Sequence, residues 1–351
     1  MRQDKGESAQ RARRASIRQV AAAAGVSTST VSNVLNNPDI VATDTRRRVE
    51  DAMSEVGYVR NGAARQLRGA PSTIAGCLLL DTANPFFAEV SRGIEDRLTE
   101  AGCLLIVGST DVRVAQENNY LRMMEELGVR GILVNPASSR LDQLVRLSAR
   151  GTPVVLIDHP QAGADLCAVA VDDVHGGGVA ADHLLALGHR RIAFLSGRAG
   201  VRSLRDRREG VRRAMTKAGL DVSSALVDIP VPEPCTVEVA DAVVDQVLAV
   251  SPRPTAVICF NDVVALGQLR GLRRHGIAVP EQMSVIGYDD VQFAEQLSPA
   301  LTTVRQPKYQ LGRAAADLLL AENLPGHLHQ EIRFTPELVV RASTAPLVTG
   351  G

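Results

Sequence analysis

The sequence predicts an N-terminal all-α helix-turn-helix head followed by an α/β region of two doubly wound parallel-sheet subdomains. Three observations carry this. Residues 16–36 hold two short helical periodicities separated only by Gly25-Val26-Ser27, a link that forces a steep crossing. From Ser72 onward, short continuously apolar runs alternate with amphipathic segments, the pattern of parallel strands covered on both faces. At 351 residues the chain exceeds what one core usually organises.

In the head, Ser16 is placed to cap IRQVAAAA, where Ile17, Val20, Ala21 and Ala24 recur on one helical face. Gly25 provides the left-handed exit. Ser27 caps the next helix, TSTVSNVLN, whose inner face is Val31, Val34 and Leu35. A third helix is expected to start from a cap at Thr43, burying Val49, Ala52, Met53 and Val56. The outer face of the second helix reads Ser27, Thr28, Ser29, Thr30, Ser32 and Asn33. A merely solvated face favours Lys and Glu. Short hydroxyls and an amide can instead meet base edges and phosphates in a major groove without holding the helix away. Charge agrees: residues 1–70 carry 12 Lys and Arg against 7 Asp and Glu, in a chain of zero net charge. A basic head on an acidic body suits a polyphosphate partner.

Seven strands read out of the remainder: 73–80, 103–109, 131–136, 153–158, 191–197, 255–260 and 283–289, with helices expected at 86–101, 116–127, 174–187, 203–218, 237–250 and 262–275. So many strands suit two subdomains, with a ligand bound between them beyond the strands' carboxyl ends. Those ends carry Asp81, Asn135, Asp158, Asn261 and Asp289. A single polar strand end is usually a turn former; five in equivalent places indicate a site.

The stretch SIRQVAAAAGVSTSTVSNVLNNPDIVATDTRRRVEDAMSEVGYVRNGAARQLRG resembles the DNA-binding head of the lac/galactose repressor family, and the resemblance runs along the whole chain. It implies base contacts from Thr28, Ser29 and Asn33. It also implies that 61–68 is a hinge helix folding on DNA, with Leu67 as a minor-groove wedge and Arg65 and Arg68 near phosphates. For the α/β region it implies a periplasmic-binding-protein-like fold. There Arg207, Asp289, Asn261 and Asp158 match pocket positions, and Phe86 and Phe87 match places for a ring over the ligand. Segment 230–240 departs from the family's aromatic-rich pattern, and the chain has no Trp.

The expected organisation is a disordered basic arm (1–15), the head (16–60), a hinge (61–71) and a ligand-binding region (72–345). Within the last, 72–170 and 301–331 form the first subdomain and 171–298 and 332–345 the second, with chain crossings near 169–172, 297–302 and 332–336. The expected function is repression of a carbohydrate-utilisation operon by a homodimer, open to further assembly, on a pseudo-palindromic double-stranded DNA operator. A sugar or sugar phosphate effector is the first expectation and a nucleobase or nucleoside co-repressor the alternative. No cofactor, metal or catalytic residue is expected, and no G-x-S-x-G, P-loop, G-x-G-x-x-G or H-E-x-x-H motif occurs. His183 and His189 read as surface or capping residues, and the five scattered cysteines as core thiols. With no signal-like or membrane-length apolar run, a cytoplasmic, nucleoid-associated protein is expected.

Overall fold

The computed structural model describes residues 15–59, 71–198, 200–322 and 324–347, and the chain divides into two compact units at residue 70. Nearly all of the basic arm and the hinge, with Arg65, Leu67 and Arg68, lie outside the described residues.

The head holds α1 (Ile17–Ala24), α2 (Thr28–Asn36) and α3 (Thr43–Glu55). Ser16 and Gln19 cap α1 reciprocally: the Ser16 backbone N–H donates to Gln19 Oε1 at 2.8 Å, and the Gln19 N–H donates to Ser16 Oγ at 3.4 Å. Gly25 leaves the helix at φ +64°, which costs a residue without Cβ nothing. Ser27 caps α2 by accepting from the Thr30 N–H at 3.1 Å. The start of α3 differs from expectation. Thr43 is its first helical residue and Ala42 stands at the cap without a side-chain bond, because a 3-10 turn at Pro38–Ile40 feeds the chain in one residue early. One fully buried valine from each helix, Val20, Val31 and Val49, makes the centre of this small core.

The second unit contains two six-stranded sheets. The first has the order β11-β5-β4-β3-β1-β2 and is wholly parallel. Its strands are β1 (Ile74–Leu79), β2 (Leu104–Ser109), β3 (Ile132–Val134), β4 (Val154–Ile157), β5 (Cys167–Val171) and β11 (Glu331–Phe334). The second has the order β12-β10-β9-β8-β6-β7, parallel except for β12. It comprises β6 (Ile192–Ser196), β7 (Leu226–Pro230), β8 (Ala256–Cys259), β9 (Ser284–Asp289), β10 (Thr302–Arg305) and β12 (Glu337–Val339). Helices α4 (Pro85–Glu100), α5 (Val114–Glu126), α6 (Asp142–Ala149) and a late helix, α12 (Lys308–Ala321), cover the first sheet. The second is packed by α7 (Asp173–Ala186), α8 (Arg202–Lys217), α10 (Val237–Ala249) and α11 (Asp262–Arg274), with the short α9 (Val222–Ala225) beside it.

One crossing and one subdomain boundary are displaced from expectation, the last crossing falling inside the expected 332–336. Strand β10 pairs with β9, Thr302 beside Ile286 through Arg305 beside Asp289, so 301–305 belongs to the second subdomain. The chain returns to the first only between Arg305 and Lys308, not at 297–302. Strand β11 pairs with β5, so 332–334 still belongs to the first subdomain and the last crossing falls at 335–336. His189 is also corrected. It is buried, its ring nitrogens meeting Thr255 Oγ1 at 2.9 Å and the Ala345 carbonyl at 3.1 Å, and burial lowers its pKa. It pins the C-terminal segment rather than facing solvent. Cys77, Cys103, Cys167 and Cys259 are core thiols, whereas Cys235 is half-buried. No helix among the described residues is long and apolar enough to cross a membrane.

Candidate functional site

On α2, Thr28 and Asn33 are exposed and make no side-chain hydrogen bond among the described residues. Ser27 is committed to the cap, its Oγ lying 2.7 Å from Ser29 Oγ and 2.8 Å from Thr30 Oγ1. Ser32 Oγ accepts from the Asn36 amide at 3.2 Å. The helix thus presents a short polar face, with Thr28 and Asn33 its least committed groups.

In the second unit, the carboxyl ends of β1, β4, β8 and β9 converge on a cavity of about 380 Å3 between the two sheets. The first subdomain contributes Leu80, Asp81, Asn84, Phe86, Phe87, Val112 and Asp158. The second contributes Val201, Ser203, Arg207, residues 233–238, Phe260, Asn261 and Asp289. Positive φ angles cluster here on residues that are not glycine: Asp111 at 48°, Val112 at 56°, Asp158 at 51° and Asp289 at 110°. Such conformations cost roughly 1–3 kcal/mol each and collect at sites where geometry matters more than stability.

Arg207 is the organising charge. Its Nε donates to Asp173 Oδ1 at 2.8 Å and its Nη1 to the Phe260 carbonyl at 2.6 Å, and Nη1 lies 3.7 Å from Asp289 Oδ1. The guanidinium stacks on Tyr288, Cζ 3.7 Å from the ring centroid, and the Tyr288 hydroxyl donates to Asp173 Oδ1 at 3.0 Å. This close assembly depends on glycine. A Cβ on Gly177 would lie 1.9 Å from the Arg207 carbonyl oxygen, and one on Gly210 would lie 2.0 Å from that of Val174. Gly177 and Gly210 therefore let α7 and α8 touch backbone to backbone, which sets where Arg207 stands, while Gly176 leaves room for the Tyr288 hydroxyl.

Three buried carboxylates surround this one guanidinium. Burial raises all three pKa values, that of Asp289 to about 6, with Arg207 acting in opposition. Asp158 is raised furthest from the ordinary carboxylate range by burial and then by the charge of Asp173. Burial alone would lower the Arg207 guanidinium, but Asp173 and its neighbours outweigh it and the net shift is upward. Arg207 pairs with Asp173, and the nearby Lys308 joins Arg207 in opposing the rise at Asp289. The cavity thus offers a guanidinium donor beside buried carboxyl groups that accept hydrogen bonds when ionised and can donate one when protonated.

Seven of the eight expected pocket residues line the cavity: Asp81, Phe86, Phe87, Asp158, Arg207, Asn261 and Asp289. Asn135 does not. It is buried behind Asp158, its amide donating to Asp158 Oδ2 at 3.3 Å, while Asp158 Oδ1 has no hydrogen-bond partner. Asp81 and Asn261 also serve locally, accepting from the Ala83 and Val264 N–H groups at 2.8 Å each. The phenylalanines meet edge to face at 5.0 Å. Sequence reasoning missed Asp173, Tyr288, Gln306 and Lys308. The runs VDDVHGGG and IGYDD hold the first two, but their pairing with Arg207 exists only in three dimensions. Gln306 Nε2 donates to Asp289 Oδ1 at 2.7 Å, and Lys308 Nζ donates to the Asp289 and Asp290 carbonyls at 2.9 and 2.8 Å. Both stand on the second crossing, so a pocket carboxylate is bonded directly to a connection between the subdomains.

A helix-turn-helix reader joined to a two-subdomain sensor with a polar interdomain cleft defines a ligand-responsive transcription regulator. Residues 16–61 match the family described as "Bacterial regulatory proteins, lacI family", and residues 181–344 match "Periplasmic binding protein-like domain". The "HTH-type transcriptional repressor PurR" of Photobacterium profundum is 36% identical over 95% of this chain and 99% of its own length. A lac repressor dimer bound to operator and the anti-inducer ONPF superposes with TM-score 0.81 at 26% identity, covering 95% of this chain and 100% of that one. A LacI family regulator of Enterococcus faecium with bound ribose gives 0.71 at 30% identity, covering 78% and 99%. The chain belongs to the lacI family and is a DNA-binding transcriptional repressor with a ligand-binding sensor.

Proposed function

We propose that the chain represses a carbohydrate-utilisation operon as a homodimer on a pseudo-palindromic operator, and that a neutral sugar in the cleft sets its operator affinity. The observation that carries the effector class is the charge of the cavity. Asp81, Asp111, Asp158, Glu233, Glu238 and Asp289 line it with Arg207. A phosphorylated sugar would add negative charge to an acidic site; a neutral polyol would not. Vicinal hydroxyls can donate to Asp289 and accept from Arg207. Phe86 and Phe87 supply the apolar wall that a sugar face needs. Ribose in the E. faecium regulator is consistent with this class.

A purine nucleobase or nucleoside is the second reading, favoured by the name PurR that the full-length relatives carry. Against it, the wall at 233–238 offers Glu, Pro, Cys, Thr and Val but no ring to sandwich a base.

Dimerisation is supported by the open edge of the first sheet. Leu104, Ile106 and Val107 on β2, with Val114, Met123 and Leu127 on or near α5, are exposed there. An apolar strand edge left in water is a liability that a second copy removes. In the dimer, closure of the cleft would turn the first subdomains against each other and change the hinge spacing.

A thermal-shift screen of the full-length chain against neutral sugars, sugar phosphates, nucleobases and nucleosides tests the effector class. A ligand at 100 times its Kd adds about 2.7 kcal/mol. Stabilisation by a neutral sugar, with its phosphate weaker, is the expected result; stabilisation by a purine alone would replace the sugar with the second reading.

A further inference from the structure

At the opposite end of the first sheet from the cleft, three potential metal-ligating side chains meet. Cys167 opens β5, Glu322 ends α12, and His327 lies on the loop that leads to β11. Their ligating atoms all lie within 4.8 Å of one another. Cys167 Sγ is 3.1 Å from His327 Nε2, and that nitrogen is 3.7 Å from Glu322 Oε1. Tetrahedral zinc, with bonds of about 2.3 Å to sulfur and about 2.0–2.1 Å to nitrogen and oxygen, separates neighbouring ligand atoms by roughly 3.3–3.6 Å. The observed distances bracket that range.

A second observation points the same way. The Glu322 side chain is only 6% exposed, and its Oε1 has no hydrogen-bond partner. It also stands at the C-terminal end of a 14-residue helix, where the helix dipole already places partial negative charge. A buried, half-satisfied carboxylate in that field is unfavourable on its own and favourable beside a cation. The other carboxylate oxygen is held: His329 Nε2 lies 3.4 Å from Oε2, and His329 Nδ1 lies 2.7 Å from Asp165 Oδ1. That is the chain of outer partners that orients a ligating group.

We propose that Cys167, Glu322 and His327 bind one borderline-soft divalent cation, Zn2+ by preference, with His329 orienting the carboxylate. Thiolate and imidazole donors exclude Ca2+ and Mg2+ as natural occupants. Burial of Cys167 argues against a reactive thiol, which needs access. Binding would tie β5 to the far end of α12, the helix whose first residue, Lys308, stands on the second crossing between the subdomains.

The test uses untagged full-length protein, stripped with a chelator under a phosphine reductant and reloaded with Co2+ or Zn2+. One equivalent of Co2+ should give a near-ultraviolet thiolate-to-cobalt band that Zn2+ abolishes. Cys167→Ser should remove that band, and Cys235→Ser should leave it. In competition with a chromophoric chelator, His329→Ala should weaken Zn2+ binding about tenfold and His327→Ala by more. Since Cys167 is buried, His327→Ala on its loop provides the decisive variant, with folding checked by circular dichroism. Failure of the wild-type chain to bind stoichiometric Zn2+, or binding unchanged in a folded His327→Ala, would overturn the proposal.

Discussion

The two subdomains bring opposite materials to the cleft. The second supplies a preassembled, buried charge network: Arg207 locked between Asp173, the Tyr288 face and the Phe260 carbonyl, with Asp289 beside it. The first supplies an apolar wall, Leu80, Phe86, Phe87 and Val112, together with the carboxyls of Asp81, Asp111 and Asp158, the last of which burial pushes well above the ordinary carboxylate range. The difference teaches that one half anchors a ligand's polar groups while the other closes over them. A ligand can shift the equilibrium between open and closed forms only by its differential affinity for them, and the closing wall is where that difference would arise.

The largest effect expected is that of Arg207→Ala. It leaves Asp173 buried without its cation, so denaturant unfolding should show the sensor weakened by about 3–5 kcal/mol, and effector response should vanish while operator binding persists. A variant with normal effector response would place the anchor elsewhere. Asp289→Ala comes next, with effector affinity falling by about 1.5–3 kcal/mol, the range for a charge-assisted hydrogen bond, as read by calorimetry. The pH profile sharpens this. Burial pushes the Asp289 pKa up to about 6 against the pull of Arg207, and hydroxyl donors bind its ionised form. Wild-type affinity should therefore fall as pH drops through about 6 and stay level above it; the alanine variant should lose that step. Phe87→Leu touches only the closing wall, so it should weaken binding several-fold and keep the pH step. The smallest effect is expected from Arg198→Ala. Arg198 is exposed, and its Nη1 donates across the cleft to the Val112 carbonyl at 3.0 Å. Its loss should cost about 1 kcal/mol of effector affinity; no change in titration would remove it from closure.

Legibility in the sequence divides along the same line. All seven strands read from continuous apolar runs are present, since β1, β4, β8 and β9 are buried along nearly their whole length. Of the five strands not read, β5 (CAVAV) is apolar and wholly buried, so its signal was present but short, while the others carry weak ones. β7 (LVDIP) is a half-exposed edge strand ending in proline, and β11 (EIRF) and β12 (ELV) are short and charged. Missing β10 moved the second crossing, and with it Gln306 and Lys308, away from the site. Polar strand ends revealed the cleft but not its depth, because Asn135 and Asp158 end strands alike and only one faces the cavity. The glycine run was visible, yet its role depends on contacts with Arg207 and Gly210 that lie thirty or more residues away.

The central claim is that a ligand held by Arg207 and Asp289 controls operator binding through the crossing to which Asp289 is bonded. The most direct test is operator binding by fluorescence anisotropy, with wild-type, Asp289→Ala and Gln306→Ala full-length chains titrated with the best neutral sugar from the thermal screen. The account predicts a change in operator affinity of about tenfold or more in the wild type, none in Asp289→Ala, and a reduced change in Gln306→Ala despite retained sugar binding. An undiminished response in Asp289→Ala would contradict it.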